Sequence, residues 1–146
     1  MNQKFLTMKN NITGRVELEI NAPVEKIWNL WTGTEHITKW NNASDDWHTP
    51  SASNDLQPEG KFSFRMEAKD GSFGFDFEGV YDKIKTNKFI DYTIADGRKV
   101  KILFETVGTE TVITESFEAE DVNSIELQQG GWQSILDNFK KYTESN

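Results

Sequence analysis

The stretch KFSFRMEAKDGSFGFDF, residues 61–77, carries an apolar side chain at every second position through Phe62, Phe64 and Met66. It breaks at Asp70-Gly71 and resumes with Phe73, Phe75 and Phe77. A period of two marks a strand with one face on a core, and Asp-Gly between two such runs marks a hairpin turn. The same pattern continues through Ile90, Tyr92 and Ile94, through Val100, Ile102 and Phe104, and through Ile113 and Phe117. Its interruptions fall at Lys85-Thr86-Asn87, Asp96-Gly97 and Gly108-Thr109, each short enough for a tight turn. Five consecutive strands of this kind predict an antiparallel meander. Ser51–Leu56, just before Pro58-Glu59-Gly60, is a candidate for one more strand.

Upstream, Val16, Leu18 and Ile20 alternate with Arg15, Glu17 and Glu19, which predicts a half-buried first strand. Asn21-Ala22-Pro23 then supplies a cap and a first-turn proline, and Val24, Ile27, Trp28, Leu30 and Trp31 recur at helical spacing as far as Gly33. Thr34 can cap a second short helix ending at Trp40. The polar stretch Trp40–Ser53 contains Trp47 and His48 and reads as a structured loop. Downstream, Asn123 and Glu126 form a capping box for a long helix. Ile125, Trp132, Ile135, Leu136, Phe139 and Tyr142 mark one face of that helix. Gly130-Gly131 interrupts it, and each mid-helix glycine costs roughly 1 kcal/mol relative to alanine. Something must favour small residues there or bend the helix.

Composition fits this reading. Leu, Ile, Val and Phe account for 35 of 146 residues, above the roughly 20% level associated with disorder. A chain of this length can bury a sufficient core without disulfides or a structural metal. There is no Cys, which excludes thiolate ligands, a Cys nucleophile and a redox thiol. The formal net charge of -8 argues against binding to phosphate backbones. Arg65, Arg98, Lys99 and Lys101 are interleaved with acids, so no nucleic acid is expected as a partner. No apolar leader precedes residue 12, and no run is long enough to span a membrane. The expectation is a cytoplasmic protein of one domain over 1–146, with 1–11 a flexible N-terminal segment.

Taken together, Asn21-Ala22-Pro23-Val24-Glu25-Lys26-Ile27-Trp28, Trp31-Thr32, Trp40, Gly60-Lys61-Phe62, Phe75 to Tyr81 and Gly131 to Leu136 with Asn138-Phe139 resemble the family of activator of heat shock protein 90 ATPase homologues. That family belongs to the START-like, or SRPBCC, superfamily. The resemblance spans nearly the whole chain. It implies an α+β helix-grip fold, in which a curved antiparallel sheet of six or seven strands wraps around a long C-terminal helix, with two short helices after strand 1. It also implies a cavity between sheet and helix that in many relatives holds an apolar ligand.

Alternation places Phe62, Phe64, Met66, Phe73, Phe75 and Phe77 on the concave face, opposite Trp132, Leu136 and Phe139 of the helix. Each ring taken singly is explained by core packing; as a set, with two helix glycines, they leave room for a flat or hydrophobic molecule. Trp40 belongs to the same lining. Trp47 and His48 are placed at the mouth, and Tyr92 offers a hydroxyl to the interior. Glu115 shares parity with Ile113 and Phe117, which points it inward; the commoner outcome for such a carboxylate is an edge position, a basic partner or a bulge. Asp76 and Glu78 have the opposite parity and should face solvent.

Asp45-Asp46-Trp47-His48 gathers metal-ligand types, but with only His36 elsewhere and no HExxH it does not specify a metal site. GxGxxG, the P-loop and GxSxG are absent, so neither a nucleotide cofactor nor a serine nucleophile is indicated. No cofactor is expected. Three functions follow. The first is noncatalytic binding of a small hydrophobic or aromatic molecule. The second is a protein-interaction module acting on a chaperone ATPase. The third is a cyclase or hydrolase using Glu115, Tyr92 or His48 as acid or base. Exposed sheet edges would permit a homodimer.

Overall fold

The structure is a computed structural model that describes residues 12–146; the expected N-terminal segment 1–11 lies outside the described residues. The elements are β1 (Thr13–Ile20), α1 (Val24–Thr32), α2 (Thr34–Trp40), β2 (Trp47–Asn54), β3 (Lys61–Ala68), β4 (Gly74–Lys85), β5 (Phe89–Ile94), β6 (Lys99–Val107), β7 (Glu110–Glu118) and α3 (Ile125–Glu144). The strands form one antiparallel sheet in the order β1-β7-β6-β5-β4-β3-β2. This is the expected α+β helix-grip architecture with seven strands.

The meander follows from its turns. Gly71, Asn87, Gly97 and Gly108 all adopt positive φ, between 63° and 96°, the left-handed conformation that Gly and Asn tolerate best. Register then carries the alternation across the sheet. Phe64 lies opposite Phe77 and Met66 opposite Phe75. Tyr81 lies opposite Tyr92, Tyr92 opposite Val100, and Val100 opposite Phe117. One face of the sheet therefore collects the rings. Bulges after His48 in β2 and after Tyr81 in β4 add local twist where the sheet must curl.

The helix docks across that face. Leu136 and Phe139 of this helix are completely buried, as are Ile113 of β7 and Ile27 of α1. Two glutamines also bind it to the sheet edge: Gln129 Oε1 accepts from the Arg15 backbone N–H at 3.1 Å, and Gln133 Nε2 donates to the Glu17 carbonyl at 3.2 Å. Four residues along a helix rise about 6 Å, close to two residues along a strand. The glutamine pair thus matches alternate residues of the β1 edge and occupies backbone groups otherwise open to pairing.

Several expected boundaries shift. The stretch read as a loop up to Ser53 contains β2, which starts at Trp47 rather than Ser51. Its polar sequence hid it, and Pro50 is tolerated because it falls in the bulge of an edge strand. Phe73 precedes β4 and is 62% exposed: it keeps its parity but sits at the hairpin end, with Trp47 and Phe75 as ring neighbours. The cap of α3 is Ser124, whose Oγ accepts from Leu127 N–H at 3.2 Å. Asn123 instead donates its backbone N–H to Glu120. Pro23 occupies the cap position of α1, and Gly33 that of α2, leaving Thr34 as the first helical residue.

Candidate functional site

Between the concave face and α3 lies a cavity of about 390 Å³, within the usual range for small-molecule sites. Support for its Trp132 wall begins behind the lining, at Gly14. A side chain there would overlap the Phe117 ring, so the glycine lets Phe117 lie flat against β1. Phe117 in turn stacks on Trp132 of α3 with centroids 4.6 Å apart and planes 6° from parallel. Phe77 meets the same indole edge-on at 6.4 Å, and Phe64 stacks beside Phe77 at 6.5 Å. Met66 and Phe75 extend this wall toward the opening, where Phe75 is 39% exposed.

Trp40 closes another side and is held from several directions. Its Nε1 donates to the Leu30 carbonyl at 2.9 Å, and its ring packs on Trp31 and Phe139, each at 4.9 Å. Asn138 of α3 donates from Nδ2 to the Trp40 carbonyl at 2.9 Å and to Asn42 Oδ1 at 3.0 Å. The sequence Trp40 to Ala43 is thus fixed to the helix, with Asn41 and Ala43 also on the lining.

The rim is polar. Gln128 holds the strap before α3 by accepting from Glu120 N–H and donating to the Glu120 carbonyl, both at 3.0 Å. Glu120 accepts the backbone N–H groups of Val122 and Asn123, which holds its carboxyl below its ordinary pKa. Arg98 lies on the same rim, with Nε 2.9 Å from Asp96 Oδ2. Gly131 lines the cavity, and a Cβ built on it or on Gly130 would meet nothing within 4 Å. Helix packing therefore does not explain the glycine pair. At Gly131 the missing side chain is cavity space.

Glu115 opens into this cavity and is 4% exposed. Its strand partners are Val16 and Ile102, and no hydrogen bond or ion pair satisfies its carboxyl among the described residues. Burial alone pushes its pKa up to about 8, because the charged form loses its hydration without a compensating partner. Tyr92 is on the same lining and 6% exposed. Burial, and then the charge of Glu115, raise the pKa of its phenol well above the ordinary range.

Four residues expected at the cavity or its mouth are not on the lining. Phe62 and Leu136 point inward but lie behind the lining: Phe62 packs on Phe64, Phe77, Tyr81 and Tyr92 beside a small void of about 40 Å³, and Leu136 is fully buried. Trp47 sits against Phe73 and Phe75 at the hairpin end, outside the lining. His48 pairs in register with Glu67 on the outer face, 3.8 Å from its carboxylate, because one step along a strand reverses the face. Asp76 lies on that outer face beside Arg65, 3.4 Å away. The commoner outcome for such a carboxylate, an edge position, a basic partner or a bulge, is not found at Glu115: β7 lies between β1 and β6 with unbroken register there.

Sequence reasoning passed over the strap and rim, where Arg98, Glu120, Asn123 and Gln128 have no periodic signal. Leu127 and Ile135 also reach the lining; both have apolar helical positions that could have flagged them. A second hollow of about 690 Å³ lies on the convex side between Lys61, Ser63, Glu78 and Asp82, with Phe62 also on its lining. Among the described residues, no cluster of His, Asp and Glu is arranged to hold a metal ion, and no helix is long and apolar enough to cross a membrane.

The sequence model of the family described as Activator of Hsp90 ATPase homolog 1-like protein matches residues 21–144. The chain belongs to this family. An AHSA1-like protein from Aeromonas hydrophila is similar at 39% identity and TM-score 0.83, over 90% of this chain and 92% of that one. A protein from Cytophaga hutchinsonii is 55% identical over the same shares, with TM-score 0.79. The Aha1 dimer from Colwellia psychrerythraea is 18% identical with TM-score 0.74, over 91% of this chain and 96% of that one, a likeness of fold. No curated protein matches the chain. Membership in the Activator of Hsp90 ATPase homolog 1-like family accounts for the START-like grip of sheet on helix.

Proposed function

We propose that this chain is a noncatalytic binding protein that holds a small hydrophobic or aromatic molecule between the sheet and α3. One observation carries the reading: a cavity of about 390 Å³ walled by Phe64, Met66, Phe75, Phe77 and Trp132, with α3 kept as glycine where a side chain would enter it. Flat rigid rings around an apolar space favour an apolar guest, whose transfer from water contributes roughly 25 cal/mol per Å² of buried surface.

Native mass spectrometry of the purified protein, followed by denaturation and identification of any released molecule, tests this directly. N-phenyl-1-naphthylamine provides a second readout, since its fluorescence rises in an apolar site. Uptake by the natural chain and its loss in a folded Phe64→Glu variant are expected. Retained uptake in that variant removes this wall from the binding site.

A chaperone-interaction module is the second reading, favoured by the match of residues 21–144 to a family named for an Hsp90 ATPase activator. It predicts stimulation of a purified chaperone ATPase that is indifferent to cavity substitutions. Absence of stimulation, with probe uptake intact, favours the ligand-binding reading.

A further inference from the structure

We propose that the ligand is an apolar, ring-bearing molecule carrying a carbonyl or similar neutral acceptor oxygen, which takes hydrogen bonds from Tyr92 Oη and the Glu115 carboxyl. The inference rests on the ligand-binding reading above and specifies its chemistry. Both groups line the same cavity, both belong to residues at most 6% exposed, and neither has a hydrogen-bond partner among the described residues. Their polar atoms are not sealed in the core but face the cavity, so an apolar guest that displaced water from it would leave them without a partner, which buried polar groups seldom are. The neighbouring tyrosine makes the contrast: Tyr81 Oη donates to Asn54 Oδ1 at 2.6 Å.

Their placement is a property of the register. Tyr92 is opposite Val100, Val100 is opposite Phe117, and Glu115 is two residues from Phe117 on the same strand. All four therefore face the concave side. Arg98 is the charged basic group on this lining, and it is engaged with Asp96 at the rim. Its charge is felt at the Tyr92 phenol, whereas Glu115 is governed by burial alone, so the carboxyl in this apolar setting keeps its proton at neutral pH and acts as a donor. The tyrosine hydroxyl is a second donor. Two donors facing one apolar space suit an oxygen with two lone pairs. A ligand carboxylate would instead bring a second acid to Glu115.

A matched pair of probes tests this on the intact chain: 2-acetylnaphthalene and 2-ethylnaphthalene, which have nearly the same shape and differ in the carbonyl. Each neutral hydrogen bond is worth roughly two- to tenfold in affinity, so the ketone should bind about tenfold more tightly. Its carbonyl stretch should fall in frequency on binding. Tyr92→Phe and Glu115→Leu should each reduce the ketone's advantage over 2-ethylnaphthalene. Equal binding of both probes with an unshifted carbonyl stretch overturns the donor pair and leaves the binding reading standing. Preferential capture of 2-naphthylmethylamine overturns it in favour of a carboxylate counter-ion. Binding of none of the three overturns the ligand-binding reading itself.

Discussion

Substituting Glu115 by glutamine isolates the effect of one buried carboxyl on the stability of the whole fold. In the unfolded chain this group titrates near 4.5, whereas in the folded protein it titrates at about 8. Below pH 4.5 it is protonated in both states and its contribution is fully present. As pH rises through the interval, the unfolded chain releases the proton while the folded chain keeps it, so stability falls by about 1.4 kcal/mol per pH unit. Above about pH 8 both states are ionised and the loss stops. Over the whole interval the loss is roughly 5 kcal/mol, comparable with the entire stability of a marginal domain. Urea unfolding of both chains at pH 5, 6, 7 and 8 measures it. The glutamine amide brings its own burial cost, but that cost is constant with pH. Groups that do not sense Glu115 cancel in the difference, and the Tyr92 phenol, which does sense it, stays protonated throughout this range. The advantage of Glu115→Gln should therefore grow steadily from pH 5 to pH 8. Parallel stability curves for the two chains would refute the assignment of Glu115 as an unpartnered buried acid.

Gly131→Ala should stabilise the protein by about 1 kcal/mol in urea unfolding, since the methyl meets nothing within 4 Å and alanine is the better helix former. Gly131→Leu should remain folded by circular dichroism yet take up less N-phenyl-1-naphthylamine, because its side chain enters cavity space. Gly14→Ala should destabilise by roughly 1–3 kcal/mol and change the near-ultraviolet circular dichroism, because the methyl overlaps the ring on which Trp132 stacks. Ser124→Ala should lower stability by about 1 kcal/mol in thermal or urea unfolding through loss of the α3 cap.

The meander, the helix pair and the long C-terminal helix were legible because each writes its period in apolar residues. The hairpin turns were legible because left-handed backbone selects Gly and Asn, as at Gly71 and Asn87. β2 was not legible over its first residues. As an edge strand it needs backbone pairing on one side only, and its His48, Thr49 and Pro50 carry no alternation. Parity put Phe62 and Leu136 on the inner face correctly, yet it could not say how deep. Distance from the cavity is set by curvature and by the helix above, and neither is written in a period of two. His48 shows the converse, since a structured loop gave it no face until the ladder with Glu67 fixed one. The inward direction of Glu115 was readable, but its lack of a partner depended on Val16 and Ile102, which come from two other strands.

Two local departures from stability meet in this cavity. A glycine stands in the second turn of α3 where alanine would fit without contact, and a carboxyl stands in the concave face where leucine would avoid its desolvation. Elsewhere the chain resolves most comparable conflicts: Gln129 and Gln133 occupy the open edge of β1, Asn138 secures the end of α2, and Tyr81 finds Asn54, while the buried Asp91 Oδ1 has no hydrogen bond but lies 4.0 Å from Lys101 Nζ. If these departures were incidental, there would be no physical reason for them to line one space. Natural sequences tend to break local rules where function requires it, and here both breaks act in the same sense. The glycine keeps volume open beside Trp132, and the acid, with Tyr92, puts unpaired hydrogen-bonding capacity into that volume. A guest that fills the space and accepts those hydrogen bonds relieves both costs together, which is why shape and a single oxygen should select it jointly.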